Sequence, residues 1–104
     1  PPSGHPHSGM AGVWHCRYTD ANGRATSEKV TFAIAADGRA TLSGQNNAGD
    51  NLVGDGTAGG SNIVIKFSES DGRKMHLVSS SMMDGTIIYY VNQTCYQPRV
   101  TCTR

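Results

Sequence analysis

No apolar run in this chain approaches the ~18 residues that a membrane-spanning helix needs, and no stretch repeats apolar side chains at helical spacing. Glycines or β-branched residues interrupt every candidate helix, so a helical fold has no support. Positive charge is not concentrated anywhere. The nine Lys and Arg residues are scattered singly from Arg17 to Arg104 and leave a formal net charge of +1, without the basic cluster and interleaved aromatics of a nucleic-acid surface. Cysteine is scarce: three in 104 residues, with no C-x-x-C, which removes zinc-ribbon and thioredoxin-type readings. A Gly-x-Ser-x-Gly elbow and a phosphate loop are missing too, since the stretch GDGTAGGS lacks the Lys-Ser/Thr that would follow. Asp50, Asp55, Asp71 and Asp84 lie in glycine turns without the regular acidic spacing of a calcium loop.

Turns and alternation are abundant. Glycine-containing turn signals recur at Asp20–Arg24, Ala35–Ala40, Asn46–Asp50, Ser70–Lys74 and Met83–Thr86, and Asn-Gly or Asp-Gly suits the positive backbone angles of tight hairpin loops. Between them Val30, Phe32 and Ile34 share one phase and Thr31 and Ala33 the other. Ile63, Ile65 and Phe67 repeat the pattern, and Met75 and Leu77 give a shorter version. The spacing predicts about eight strands, at residues 12–19, 29–35, 40–45, 51–56, 62–68, 74–80, 86–93 and 99–103. Thr86–Val91 is apolar on both faces and is expected to be covered on both sides.

An all-β fold follows: a single small antiparallel meander, closed or nearly closed as a barrel, with a sandwich as the alternative. Closure is favoured because an open sheet of this length would expose two long edges. Residues 1–11, rich in Pro, Gly, His and Ser, are read as a flexible tail, and residues 12–104 as one β domain with a mobile glycine-rich loop over residues 54–62. A composition of 37% apolar and 16% charged residues is that of an ordered globular chain. Its core is small, since a chain of this length removes only about two thirds of its unfolded surface from water. Trp14, Phe32, Ile34, Ile65, Phe67, Leu77 and Tyr89 are expected to fill it and to leave no ligand cavity.

The stretch TCYQPRVTC carries Cys95 and Cys102 on either side of Pro98. With Pro98 and Arg99 as the loop of a tight hairpin, the two cysteines face each other, and a Cys95–Cys102 disulfide is the expected pairing. Cys16 is then a buried free thiol in phase with Trp14 and Tyr18. A bond from Cys16 to Cys102 or Cys95 is the alternative, because a closed meander sets its first and last strands side by side; three free thiols is the third possibility. A disulfide in so small a domain points to an oxidising compartment: periplasm, extracellular space or cell surface.

Gly12-Val13-Trp14, in the first strand of an eight-stranded meander, resembles the start of barrel families that include the lipocalins and the small bacterial metalloprotease inhibitors. The resemblance implies that Trp14 closes one end of the barrel and that a late basic residue, Arg104 or Arg99, packs over its ring.

Catalytic and metal chemistry have less to stand on. His15 and Cys16 are adjacent, so on a strand they point to opposite faces and do not form a nucleophile and its base. His5, His7, His15, His76, four methionines and Cys16 make up a soft-metal inventory. However, His5 and His7 sit in the tail, Met75 points inward, and His15 and His76 point outward. No metal and no cofactor are expected. Asn92–Thr94 matches a glycosylation acceptor, relevant only to a eukaryotic source. The functional expectation is a non-enzymatic monomer whose loops or tail engage a protein partner, as an inhibitor or surface antigen does. The alternatives are a carrier of a small apolar ligand and, behind it, a copper- or zinc-binding periplasmic protein.

Overall fold

The structure, a computed structural model, describes residues 9–104. The first eight residues of the expected tail, with His5 and His7, lie outside the described residues. Gly9 and Met10 form a single 3₁₀ turn, and Met10 is fully buried, so the barrel takes up chain that the sequence reading assigned to the tail.

Nine strands follow: β1 (Gly12–Thr19), β2 (Ala25–Ile34), β3 (Arg39–Asn46), β4 (Asn51–Gly59), β5 (Asn62–Lys66), β6 (Gly72–Ser79), β7 (Met82–Val91), β8 (Thr94–Tyr96) and β9 (Arg99–Thr103). β1 to β7 pair consecutively and antiparallel, and β9 lies between β7 and β1. Eight strands therefore close into a barrel, which removes the free edges that a sheet of this length would carry. β8 is an extra strand that continues beyond the closed part. No helix among the described residues is long and apolar enough to cross a membrane.

β8 and β9 lie on the same edge of β7. The pairs Val91↔Thr94, Tyr89↔Tyr96, Thr86↔Arg99 and Met82↔Thr103 belong to one unbroken register. Pro98 divides the two strands because it has no N–H to return to Ile87, although the Ile87 N–H still donates to the Pro98 carbonyl at 2.9 Å. The hairpin turns at Asn92 and Gln93, both with positive φ (50° and 68°), as a two-residue primed turn requires. It does not turn at Pro98 and Arg99.

That one difference overturns the expected disulfide. Cys95 and Cys102 lie along a single strand path, seven residues apart, so their side chains leave opposite faces. Cys102 points into the barrel and Cys95 out to solvent. Cys16 is the direct partner of Cys102 across β1 and β9, with Cα atoms 3.9 Å apart, and the bond is Cys16–Cys102. Cys16 is buried beside Trp14 as expected, but it is bonded.

Several strand limits also differ from the sequence reading. β2 starts at Ala25, β7 starts at Met82, and β4 runs to Gly59, absorbing most of the glycine stretch read as a loop. Gly56 and Gly85 occupy inward positions where a neighbouring backbone comes close. A Cβ on Gly56 would strike the Val64 carbonyl oxygen, and one on Gly85 the Lys74 carbonyl oxygen. Glycine lets neighbouring backbones close up at these positions. Thr86–Val91 is not covered on both sides: Ile87 is buried, whereas Tyr90 and Val91 are exposed on the projecting hairpin.

Inside, alternate residues meet. Trp14, Phe32 and Ile65 are fully buried, together with Met10, Val30, Leu42, Ile63, Met75, Met83 and Val100. Ile34, Phe67, Leu77 and Tyr89 pack against this core but are only partly buried. They stand toward the two ends of the barrel, Ile34 and Leu77 at one and Phe67 and Tyr89 at the other. The outer face carries Arg17, Lys29, Lys66 and Lys74, all exposed.

Candidate functional site

The two ends of the barrel are built differently. At one end Trp14 lies across the interior, and its Nε1–H donates to the Met10 carbonyl at 2.9 Å. The Arg104 guanidinium stacks over the indole, Cζ 4.1 Å from the ring centroid. Arg104 also donates to three backbone carbonyls, those of Ser80 (2.9 Å), Ala11 (2.8 Å) and Gly9. Gly12 has a φ of 110° and turns the chain so that Arg104 can reach in. Arg104 therefore has the place expected for Arg104 or Arg99. Arg99 is exposed on the outer face, 4.0 Å from the Asp84 carboxylate.

At the opposite end the interior stays open as a cavity of about 370 Å³. Its walls are Tyr18 from β1, Leu52 from β4, Phe67 from the β5–β6 turn, and Ile87 and Tyr89 from β7. The expectation of a completely filled interior is thus corrected. The fully buried residues fill the middle and the Trp14 end, while the aromatic side chains at this end stand around the mouth and do not cross it. Tyr89 stacks on Tyr96, centroids 5.8 Å apart, and its hydroxyl accepts the Ala21 N–H at 2.6 Å. The β1–β2 turn is thereby tied across the opening to β7.

Beneath the cavity lies a buried ion pair. Glu28 from β2 and Arg73 from β6 meet end-on, Nη1 to Oε1 at 2.8 Å and Nη2 to Oε2 at 3.0 Å, with both side chains at most 2% exposed. The bidentate geometry compensates each charge with the other. Arg73 also sits over the Phe67 ring, Cζ 5.0 Å from the centroid. Its Nε alone, among buried side-chain nitrogens and oxygens of the described residues, has no hydrogen-bond partner. Burial, and then the negative charge of Glu28, push the Tyr18 hydroxyl above its ordinary value of 10.0.

Three solved structures share this architecture at low sequence identity. A redesigned β-barrel, b11L5F_LGL, superposes with a TM-score of 0.68 at 14% identity, covering 96% of this chain and 95% of its own. EF1p2_mFAP2b bound to DFHBI gives 0.66 at 13% identity, covering 97% and 99%. A redesigned β-barrel, mFAP1, bound to DFHBI, gives 0.58 at 9% identity, covering 97% and 100%. Identity at this level speaks for the fold alone. No family model and no curated protein matches the chain.

The other sequence candidates stay apart. His15 and His76 are both exposed, and His76 Nδ1 lies 3.0 Å from Asn62 Oδ1. Among the described residues no three His, Cys, Asp or Glu side chains gather as metal ligands would. Cys95 is exposed, and its Sγ accepts a hydrogen bond from Gln97 Nε2 at 3.7 Å; its closeness to Tyr90, its partner across β7 and β8, raises the Tyr90 hydroxyl above its ordinary value. Glu28 and Arg73 were missed because the predicted strands start at Lys29 and Lys74, four and two residues after β2 and β6 begin, which leaves each charged residue one position outside. The signal was present: Glu28 shares the inward phase of Val30 and Phe32, and Arg73 that of Met75 and Leu77.

Proposed function

We propose that this protein is a non-catalytic small-molecule binder that takes its ligand in the open mouth of the barrel. The observation that carries the reading is the 370 Å³ cavity between the half-buried rings and the Glu28–Arg73 pair. Its volume falls at the lower end of the range of about 300–1,000 Å³ typical of ligand sites. The lining also fits, because mostly apolar walls with a few placed polar groups combine affinity with orientation. The partnerless Arg73 Nε leaves a donor at the floor without an acceptor, an arrangement that native interiors rarely keep without a use. That two barrels of the same fold hold DFHBI supports the reading by analogy of fold only.

The protein acts as a monomer in an oxidising, extracytoplasmic compartment, where the Cys16–Cys102 bond persists. The test is a mouth-filling substitution, Leu52→Trp, compared with the parent for binding of an environment-sensitive naphthalene dye. Binding that is lost in the variant, with the melting temperature held, supports the site. Equal binding by both contradicts it.

A protein partner engaged by strand addition is the second reading, favoured by one observation. β8 pairs only with β7, so its other edge is unpaired and stands next to the closed barrel. A photo-crosslinker attached at Cys95 tests it: adducts that cluster on one extracytoplasmic protein support strand addition, and their absence removes it.

A further inference from the structure

We infer that the mouth selects a planar aromatic cation, a conclusion that rests on the reading of this cavity as a ligand site. Charge, not shape alone, carries the argument. Of the four ionisable groups other than tyrosine that border the cavity, Glu28 and Arg73 neutralise each other through two short hydrogen bonds. The remaining two are both carboxylates, Asp20 in the β1–β2 turn and Asp71 in the β5–β6 turn.

Neither carboxylate has an ion-pair partner among the described residues, whose salt bridges join Asp37 to Arg39, Glu28 to Arg73 and Asp84 to Arg99. Asp20 accepts the Asn22 and Arg24 N–H groups, and Asp71 accepts the Ser70 hydroxyl. Those are hydrogen bonds to neutral groups, so both negative charges stand at the rim uncompensated. Below the rim the walls include the rings of Tyr18 and Tyr89, whose π-faces attract cations and whose flat surfaces accept a planar partner. Two unbalanced carboxylates over a partly desolvated aromatic cavity favour positive charge and oppose negative charge in the same place. An anion would meet both carboxylates, while two of the three nitrogens of the one guanidinium are already engaged by Glu28 and only its Nε–H is left to donate.

Three tricyclic probes of matched size isolate the charge: 9-aminoacridinium, neutral anthracene-9-methanol and anthracene-9-carboxylate, each titrated by fluorescence at low ionic strength. The expected order of affinity is cation, neutral, anion, with about tenfold between successive members. Asp71→Asn and Asp20→Asn should each weaken the cation by about three- to fivefold and leave the neutral probe unchanged, consistent with one charge removed at a solvated rim. Asparagine keeps the acceptor oxygen at both positions, so the turns are retained. Raising the salt to 0.5 M should narrow the gap between cation and neutral. Equal or tighter binding of the anthracene carboxylate would overturn the inference and leave the ligand site standing. Binding of none of the three by folded protein, or cation binding that survives Leu52→Trp, would overturn both.

Discussion

The Trp14 end and the Tyr18 end of this barrel are formed by the same strands, yet they solve the problem of a barrel opening in opposite ways. At the Trp14 end an indole lies across the interior, and Arg104 covers it while satisfying three backbone carbonyls. At the Tyr18 end the side chains of Tyr18, Phe67 and Tyr89 border a cavity, with an ion pair removed from water beneath it. A buried pair of this kind gains little over apolar packing, because desolvation offsets most of its attraction. The sealed end is therefore where the fold gains stability. The open end keeps polar groups and volume that folding alone does not require.

The largest expected effect concerns the seam that holds both ends in register. Replacing Cys16 and Cys102 by alanine should destabilise the fold by about 4–5 kcal/mol in the chain-entropy view, since the bond closes a loop of 86 residues. Cys95→Ala, by contrast, should leave the urea midpoint unchanged. A large loss from Cys95→Ala would mean that β8 is integral to the barrel and that the comparison omits a third region.

Next comes the floor of the open end. Glu28→Ala alone should cost about 3–5 kcal/mol by stranding the Arg73 charge, whereas the pair Glu28→Leu with Arg73→Met should recover most of that loss. Additive losses in the double variant, measured by chemical denaturation, would show that the ion pair holds the barrel together and is not an inessential polar floor. At the sealed end Arg104→Ala should cost about 1–2 kcal/mol, from its hydrogen bonds and its contact with the indole, without changing affinity for any probe at the mouth. A change in ligand affinity would couple the two ends.

The smallest effect is a pH dependence at the mouth. Burial and Glu28 raise the Tyr18 hydroxyl in the folded protein, so the neutral form is favoured there. The resulting stabilisation is complete below the unfolded value near 10.0 and is lost as pH rises through the higher folded value. Urea midpoints between pH 9 and 11 should thus fall more steeply in the parent than in Tyr18→Phe. Parallel profiles would mean that Tyr18 is more solvated than the cavity geometry implies.

Much of the sealed end was legible in the sequence, and little of the open end was. Alternation placed Trp14, Phe32 and Ile65 inside, and the Gly-x-Trp resemblance named Arg104 as one of two residues to cover the indole. Side-chain phase survives an error in where a strand begins, which is why the core residues could be read while the strand limits moved. Glu28 and Arg73 fell just outside the predicted strands, and a charged residue at a strand start reads as solvated unless its partner, 45 residues away, is already known. The disulfide turned on a single loop. Asn92 and Gln93 tolerate the positive φ of the tight turn, whereas Pro98 attracted the turn assignment although proline is equally at home where a ladder bond can be spared. The glycine stretch of β4 misled in a similar way: Gly56 serves a close approach between strands and not a loop.

Chemical-shift mapping tests the contrast between the ends most directly. Backbone amide spectra of the ¹⁵N-labelled protein, recorded with and without saturating 9-aminoacridinium, should show shifts concentrated at Tyr18, Asn22, Leu52, Phe67, Asp71 and Tyr89. Met10, Trp14 and Arg104 should be unmoved. Shifts centred on Trp14 or spread along the outer strand faces, with the Tyr18 end silent, would contradict the assignment of one end to stability and the other to binding.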